Sequence, residues 1–324
     1  MEATSYKDLK TSRGINYHYY VSPAHGGKPT LLLLHGFPSC SGDWEHQVVF
    51  FRERGFGVIV PDLLGYGGTD KPRDVKAYGA KTMSQDIVEI IDHEGAKNVI
   101  AIGHDWGSGL NSRLAVYHAD RFQAFGFLAI GFVKPNPDFD LDILTAMFKK
   151  NFGHEFFGYW YFLAEEDSDK IIAEHFDSFI SLIFAADSKL RISDMSPKGA
   201  LKAWLLADKT TETAPYATEA YKAKRKEQLL KGGMYGPTNW YRAMLQKVIP
   251  GEETGITEEQ LVFQKPAFYG AALRDHVANP GLAKVAFPQH FPNNTIKDFD
   301  SDHWVQLGMP QEVNAELLKW IEGL

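Results

Sequence analysis

The segment Val99-Ile100-Ala101-Ile102-Gly103-His104-Asp105-Trp106-Gly107-Ser108-Gly109 constrains this chain more than any other. Four apolar residues read as a buried strand, and the chain then passes through small-x-acid-x-small into a helix-like stretch. A strand that reverses sharply into a helix holds its central residue in a strained backbone conformation. Glycine two residues to either side leaves room for that turn. Asp105 then projects from the carboxyl edge of a sheet at a helix amino terminus, where the macrodipole favours an ionised carboxylate. Taken alone, the segment leaves open a plain helix N-cap, a common role for Asp after a strand.

Further short apolar runs repeat the strand signal. Thr30–Leu34, Gly57–Val60 and Phe125–Ile130 are continuous and bounded by Gly, Pro, Asp or His. Between them, Thr82–Glu94 carries apolar residues at 83, 87, 88, 90 and 91, which is helical spacing. Strands separated by helices predict an α/β fold with a mostly parallel sheet and helices on both faces. Lys134-Pro135-Asn136-Pro137-Asp138 then breaks the pattern. The stretch from there to about Phe263 is helical in pattern and rich in Phe, Tyr and Trp. Strand signals resume at Ala267–Tyr269 and Asn294–Phe299, and a terminal helix is expected from about Pro310 to Ile321. The simplest organisation is a core domain of residues 1–133 and 264–324, interrupted by a helical insertion at 134–263.

A length of 324 residues suits a large single domain or a core with an insertion. The net charge of −7 provides no basic footprint for nucleic acid. A single cysteine, Cys40, excludes an intrachain disulfide and a thiolate metal cluster. No apolar run approaches the roughly 18 residues needed to span a bilayer, and the start lacks the apolar core of a secretory signal. A cytoplasmic enzyme is the expectation.

Three further positions accompany Asp105. Leu31-Leu32-Leu33-Leu34-His35-Gly36-Phe37-Pro38 is an apolar strand ending in His-Gly-x-Pro, roughly 70 residues before the elbow. The backbone N–H groups of Phe37 and Trp106 would together hold a developing oxyanion. By itself, Gly36-Phe37-Pro38 is also compatible with an ordinary strand-ending turn. After the strand at 267–269, Asp275 is the candidate acid that orients a base, although it could simply pair with Arg274. His303, in Asp302-His303-Trp304, comes after the last strand signal and is the candidate base. Nucleophile, acid and base each stand just past a strand, in the order this fold precedent requires.

His35-Gly36-Phe37-Pro38, Pro61-Asp62-Leu63-Leu64-Gly65-Tyr66-Gly67, Gly103-His104-Asp105-Trp106-Gly107 and Asp302-His303-Trp304 resemble the soluble epoxide hydrolase family of the α/β-hydrolase fold. In hydrolases of that fold the elbow usually carries serine; aspartate instead attacks an sp³ carbon and forms an ester. The resemblance implies that 134–263 is a cap over the active site, bearing two tyrosines that donate to the epoxide oxygen. One matches Tyr241 in Gly236-Pro237-Thr238-Asn239-Trp240-Tyr241-Arg242. The other matches Tyr161 in Tyr161-Phe162, with Tyr159 close by as the competing position. Phe37, Trp106, Tyr161 and Tyr241 would contact the substrate.

The implied chemistry is attack by Asp105, proton delivery by the tyrosines, and hydrolysis of the ester by water that His303, held by Asp275, activates. No cofactor or metal is required. The base must be neutral, so activity is expected to fall below its pKa, near 6.5 if unperturbed. The substrate expected is a small, mostly apolar epoxide, and a homodimer is an assembly the sequence leaves open. Haloalkane dehalogenases share the Asp-Trp elbow, but generally place Asn or Trp just after His-Gly, where this chain has Phe37. A haloacetate dehalogenase would carry Arg in place of Trp106. A non-catalytic receptor on the same fold would not need all three of Asp105, Asp275 and His303.

Overall fold

The computed structural model describes the backbone of residues 1–324 and every side chain except that of Ala3. Its centre is an eight-stranded sheet: β1 (Tyr6–Lys10), β2 (Asn16–Ser22), β3 (Thr30–Leu34), β4 (Gly57–Pro61), β5 (Val99–His104), β6 (Phe122–Leu128), β7 (Ala267–Ala272) and β8 (Asn294–Phe299). The spatial order is β1-β2-β4-β3-β5-β6-β7-β8. β1 and β2 pair antiparallel at one edge, β2 pairs antiparallel with β4, and from β4 onward all pairs are parallel.

The strands anticipated from apolar runs are present, with β6 beginning three residues earlier, at Phe122, and ending at Leu128. The β1–β2 hairpin had no such signal, because β1 lies on an exposed edge and mixes Lys, Asp and Tyr. Central strands show no alternation because both faces are covered. Leu32, Leu34 and Ala101 pack into one apolar cluster, while Leu31, Leu33, Ile100 and Ile102 pack into the cluster on the other face.

Helices α1 (Glu45–Arg52), α2 (Ala80–His93) and α3 (Trp106–His118) connect the four strands from β3 to β6. Between β6 and β7 the chain builds helices around one isolated bridge: α4 (Leu141–Phe152), α5 (Tyr159–Leu163), α6 (Ser168–Glu174), α7 (Phe176–Ile183) and α8 (Leu190–Asp194). They continue as α9 (Ala200–Leu206), α10 (Glu219–Gly232), α11 (Tyr235–Leu245) and α12 (Val248–Glu252). The chain closes with α13 (Pro280–His290), α14 (Val305–Gly308) and α15 (Pro310–Glu322). Among the described residues, no helix is long and apolar enough to cross a membrane.

After β3 the chain moves to β4, then returns across β3 to β5. The carboxyl ends of β3 and β5 therefore flank a topological switch point, where open α/β sheets bind ligands. Leu34 is paired with Gly103 in that register. Gly36 and Asp105, each two residues further on, consequently stand side by side.

Candidate active site

Asp105 sits between β5 and α3 with φ 54° and ψ −124°, a conformation costly for a residue with a Cβ. The flanking glycines permit it. A Cβ on Gly107 would lie 2.1 Å from the Leu34 carbonyl, and one on Gly103 would lie 2.4 Å from the Gly107 carbonyl. On the adjacent loop, a Cβ on Gly36 would strike the Asp105 carboxylate at 2.3 Å. The plain N-cap reading fails on geometry: the Asp105 side chain caps no amide of α3. Its Oδ1 instead accepts from the Phe37 N–H across the switch point at 2.7 Å.

The loop that presents Phe37 is fixed by a buried histidine. His35 Nε2 accepts from the Leu63 N–H at 3.0 Å, so Nδ1 carries the proton and donates to the Gly36 carbonyl at 2.9 Å. Trp106, whose N–H the sequence pairs with that of Phe37, begins α3 directly after Asp105.

Asp275 and His303 arrive on neighbouring loops because Ala272 and Phe299 end β7 and β8 in register. Leu273 N–H and Arg274 N–H donate to the carbonyls of Phe299 and Ser301, zipping the two loops together. His303 Nδ1 then lies 2.7 Å from Asp275 Oδ2, and its Nε2 lies 3.4 Å from Asp105 Oδ2. The second Asp275 oxygen accepts from the N–H groups of Val277 and Ala278, which fixes the carboxylate. All three side chains are buried.

Burial opposes charge on His303, but the facing carboxylates of Asp275 and Asp105 outweigh it and push the imidazole up to about 10. Burial likewise opposes charge on Asp105, and His303 together with the Phe37 N–H holds it below the usual carboxylate range. The resting pair is therefore imidazolium and carboxylate at neutral pH. The value near 6.5 expected for an unperturbed base does not describe this site.

Two residues around His303 stand in motifs quoted from the sequence, which assigned them no role. His104 donates from Nε2 to the His303 carbonyl at 2.8 Å, and burial, then the neighbouring His303, lower it to about 4, so it stays a neutral donor. Asp302, next to His303, accepts from the Tyr216 hydroxyl at 2.7 Å and from the fully buried Arg191 at 3.2 Å. Both partners come from the helical segment, and only the folded chain brings them to the base.

The α11 motif places Tyr241 by backbone contact. Gly236 meets Gly65 so closely that a Cβ there would lie 2.6 Å from the Gly65 carbonyl. Trp240 donates its indole N–H to the Leu64 carbonyl at 2.9 Å, and Asn239 donates to the Pro72 carbonyl at 3.2 Å. These anchors seat α11 on the loop after β4. Tyr241 is held edge-on by Phe37 and Trp106, with ring centroids 5.1 Å and 5.2 Å away.

The second tyrosine differs from the expectation. Tyr161 is turned away from Asp105: its hydroxyl donates to Asp142, and Lys198 lies 3.9 Å over its ring. Tyr159 is buried instead, 6.1 Å from Tyr241 between ring centroids, and it lines the cavity at Asp105. The cause is helical period. Tyr159, Phe162 and Leu163 stand at i, i+3 and i+4 on the buried face of α5, whereas Tyr161 falls on its outer side. Burial first, with the Asp105 charge adding to it, pushes the Tyr159 phenol above its ordinary value. Tyr241 is raised as well, by burial and then by Tyr159 and Asp105.

The cavity at Asp105 has a volume of about 340 Å³ and is lined chiefly by apolar and aromatic side chains, among them Trp106, Phe139, Trp160 and Met244. Asp105 and Tyr159 line this cavity, and Tyr241, Phe37 and His303 join them around a much smaller space beside it.

A model of the alpha/beta hydrolase fold family matches residues 29–310. Bifunctional epoxide hydrolase 2 of Sus scrofa is 26% identical over 313 residues, which are 95% of this chain and 54% of that protein. The chain thus spans about half the length of that relative. Epoxide hydrolase A of Mycobacterium tuberculosis is 27% identical over 321 residues, 94% of each protein. The crystal structure of epoxide hydrolase A from Mycobacterium thermoresistibile superposes with a TM-score of 0.79 at 25% identity, over 99% of this chain and 98% of that one. With the family model covering most of its length and the elbow standing at the end of β5, the chain belongs to the α/β-hydrolase fold family.

Proposed function

We propose that the protein is an epoxide hydrolase, with residues 134–263 as its cap, converting an epoxide to a vicinal diol through an ester on Asp105. One observation carries this reading: two buried phenols, Tyr159 and Tyr241, line the small cavity beside His303 together with an ionised aspartate at a nucleophile elbow. An epoxide leaves as an alkoxide, a far stronger base than a phenolate whose acid has pKa about 10. Either phenol can therefore deliver its proton as the C–O bond breaks. A departing halide needs N–H donors rather than an acid, and the position after His35-Gly36 carries the apolar ring of Phe37. The named relatives that are epoxide hydrolases support the same assignment.

Asp105 Oδ2 attacks one oxirane carbon, forming the ester C–O bond as the ring C–O bond breaks. The alkoxide takes a proton from Tyr159 or Tyr241. Ester formation removes the negative charge of Asp105, one of the two carboxylates that raise His303. The imidazolium then gives up its proton, which restores the phenol that protonated the alkoxide, and neutral His303, still held by Asp275, becomes the base. It deprotonates water, which attacks the Asp105 carbonyl carbon, and the Phe37 and Trp106 N–H groups bear the oxyanion. Its collapse breaks the acyl C–O bond, the diol leaves with the proton of the added hydroxyl, and the Asp105 carboxylate is restored. No step calls for a metal or organic cofactor.

The origin of the new oxygen tests the scheme. In a single turnover in ¹⁸O-water with excess enzyme, the diol is expected to be mostly unlabelled, with label left in Asp105. A fully labelled diol would mean direct attack of water on the epoxide. Faster turnover of alkyl halides than of matched epoxides would transfer the assignment to dehalogenation.

The two steps also differ in pH dependence. Ester formation needs ionised Asp105 and protonated phenols, conditions met together from about pH 5 to pH 9, so its rate is expected to be flat there. Ester hydrolysis needs neutral His303. Its rate is expected to rise with pH and level off at a pKa lower than the value of about 10 in the free enzyme. Rapid mixing with separate detection of ester and diol resolves the two, and a hydrolysis rate that falls as pH rises would refute the assigned base.

A further inference from the structure

We infer that the site selects terminal epoxides with one extended apolar substituent and rejects trans-disubstituted ones, an inference that rests on the epoxide hydrolase reading. Asp105 stands at the junction of two lobes of very different size. The larger, about 340 Å³, runs between Trp106, Phe139, Trp160 and Met244 to the exposed Lys134. The smaller, about 20 Å³, lies beside His303, Phe37 and Trp304. Asp105, Tyr159 and Val277 line both, so the reacting centre lies between the lobes.

A water molecule takes about 30 Å³ in the liquid, and a methylene group is of similar size. The large lobe, many times the size of the small one, has room for an extended chain. The small lobe meets the threshold of about 10–15 Å³ for one water and little more. Its far wall is Leu163, Ile183, Met195 and Leu201, all buried and packed in the core. Because it adjoins both phenols and His303, it has room for the oxirane oxygen during attack and for the water that cleaves the ester afterwards, and for little else.

Attack aligns Asp105, the oxirane carbon and the oxirane oxygen, with that oxygen towards the phenols. In a trans epoxide the substituents on the two carbons leave this line in opposite directions. One enters the large lobe, and the other meets the wall of the small lobe and displaces the hydrolytic water. A terminal epoxide has only hydrogen on that side.

Two isomers of equal composition test this without a difference in hydrophobicity. One extra group in a closed apolar pocket costs about 10–200-fold in kcat/KM, so 1,2-epoxyoctane is expected to exceed trans-4,5-epoxyoctane by about 100-fold or more. Met195→Ala is expected to raise the relative rate of the trans isomer about tenfold by opening the small lobe. Gly109→Leu fills the large lobe from α3, where a Cβ would meet only the Trp106 ring at an ordinary 3.8 Å. It is expected to lower kcat/KM for 1,2-epoxyoctane about tenfold while 1,2-epoxypropane is nearly unaffected. Equal rates for the two octane isomers, or loss of short and long substrates alike in Gly109→Leu, would overturn the lobe assignment alone. Failure of the folded wild type to open any epoxide would overturn the functional reading instead.

Discussion

His303→Gln is expected to stop the reaction halfway, accumulating one substrate mass on the peptide that carries Asp105. Gln cannot take a proton from water, so hydrolysis of the ester loses its base, and loss of a triad member costs about 10⁴-fold or more. Ester formation survives, because Asp105 keeps its strained elbow and the Phe37 N–H at 2.7 Å. It is expected to slow modestly, because the imidazolium that holds Asp105 ionised is gone. Asp105→Asn removes the nucleophile and is expected to form no ester. Intact mass spectrometry after mixing with an epoxide, then peptide mapping, decides the matter. An active wild type whose His303→Gln form never gains mass would refute the two-step scheme.

The second large effect concerns the cap tyrosines, and it separates two residues only two positions apart. A donor lost at a developing oxyanion costs about 10²–10³-fold, or roughly 3–4 kcal/mol. Tyr159→Phe and Tyr241→Phe are each expected to slow ester formation by that order while leaving ester hydrolysis nearly unchanged. The double variant is expected to be almost inactive on epoxides, although two donors on one oxygen will not add simply. Tyr161→Phe is expected to leave ester formation at the wild-type rate, since that hydroxyl faces Asp142 outside the cavity. Pre-steady-state ester formation, monitored by tryptophan fluorescence through Trp106, reads all four. A loss in Tyr161→Phe with wild-type behaviour in Tyr159→Phe would reverse the assignment.

Contacts between the helical segment and the sheet domain bear on the choice of these variants. Arg225 with Asp43 and Arg113 with Glu253 are buried ion pairs, and Arg191 with Asp302 a half-buried one, that join the helical segment to the sheet domain. Removing one partner of such a pair leaves an uncompensated buried charge, typically worth about 3–5 kcal/mol. The tyrosine variants avoid this cost, because they remove no charge and Phe retains the ring packing of Tyr241 against Phe37 and Trp106 and of Tyr159 against Trp160.

Asp105, Asp275 and His303 were legible in the sequence because each stands past a strand in a fold whose chain order states which loop meets which. The strand before Asp105 is the clearest, since burial on both faces writes an unbroken apolar run. The glycines around Asp105 were legible for a related reason, because that turn tolerates no Cβ at Gly103 or Gly107. The Gly-Pro-x-Asn-Trp-Tyr-Arg motif was also visible. Its reason, Gly236 against Gly65 and Trp240 on the Leu64 carbonyl, is a contact across 176 residues of chain in the latter case.

What tertiary structure alone decided was which aromatic faces the cavity and how far each lobe extends. In an aromatic run such as Tyr159-Trp160-Tyr161-Phe162, residue type carries no direction. Helix phase against the core buries Tyr159 and leaves Tyr161 outside. The pKa of His303 has the same origin. Asp275 lies 28 residues from His303 along the chain and Asp105 far more distant still. Their charges cannot be summed until β5, β7 and β8 bring both carboxylates to one imidazole. Charge and cavity volume depend on distances through space, and only local conformation and periodicity are written along the chain.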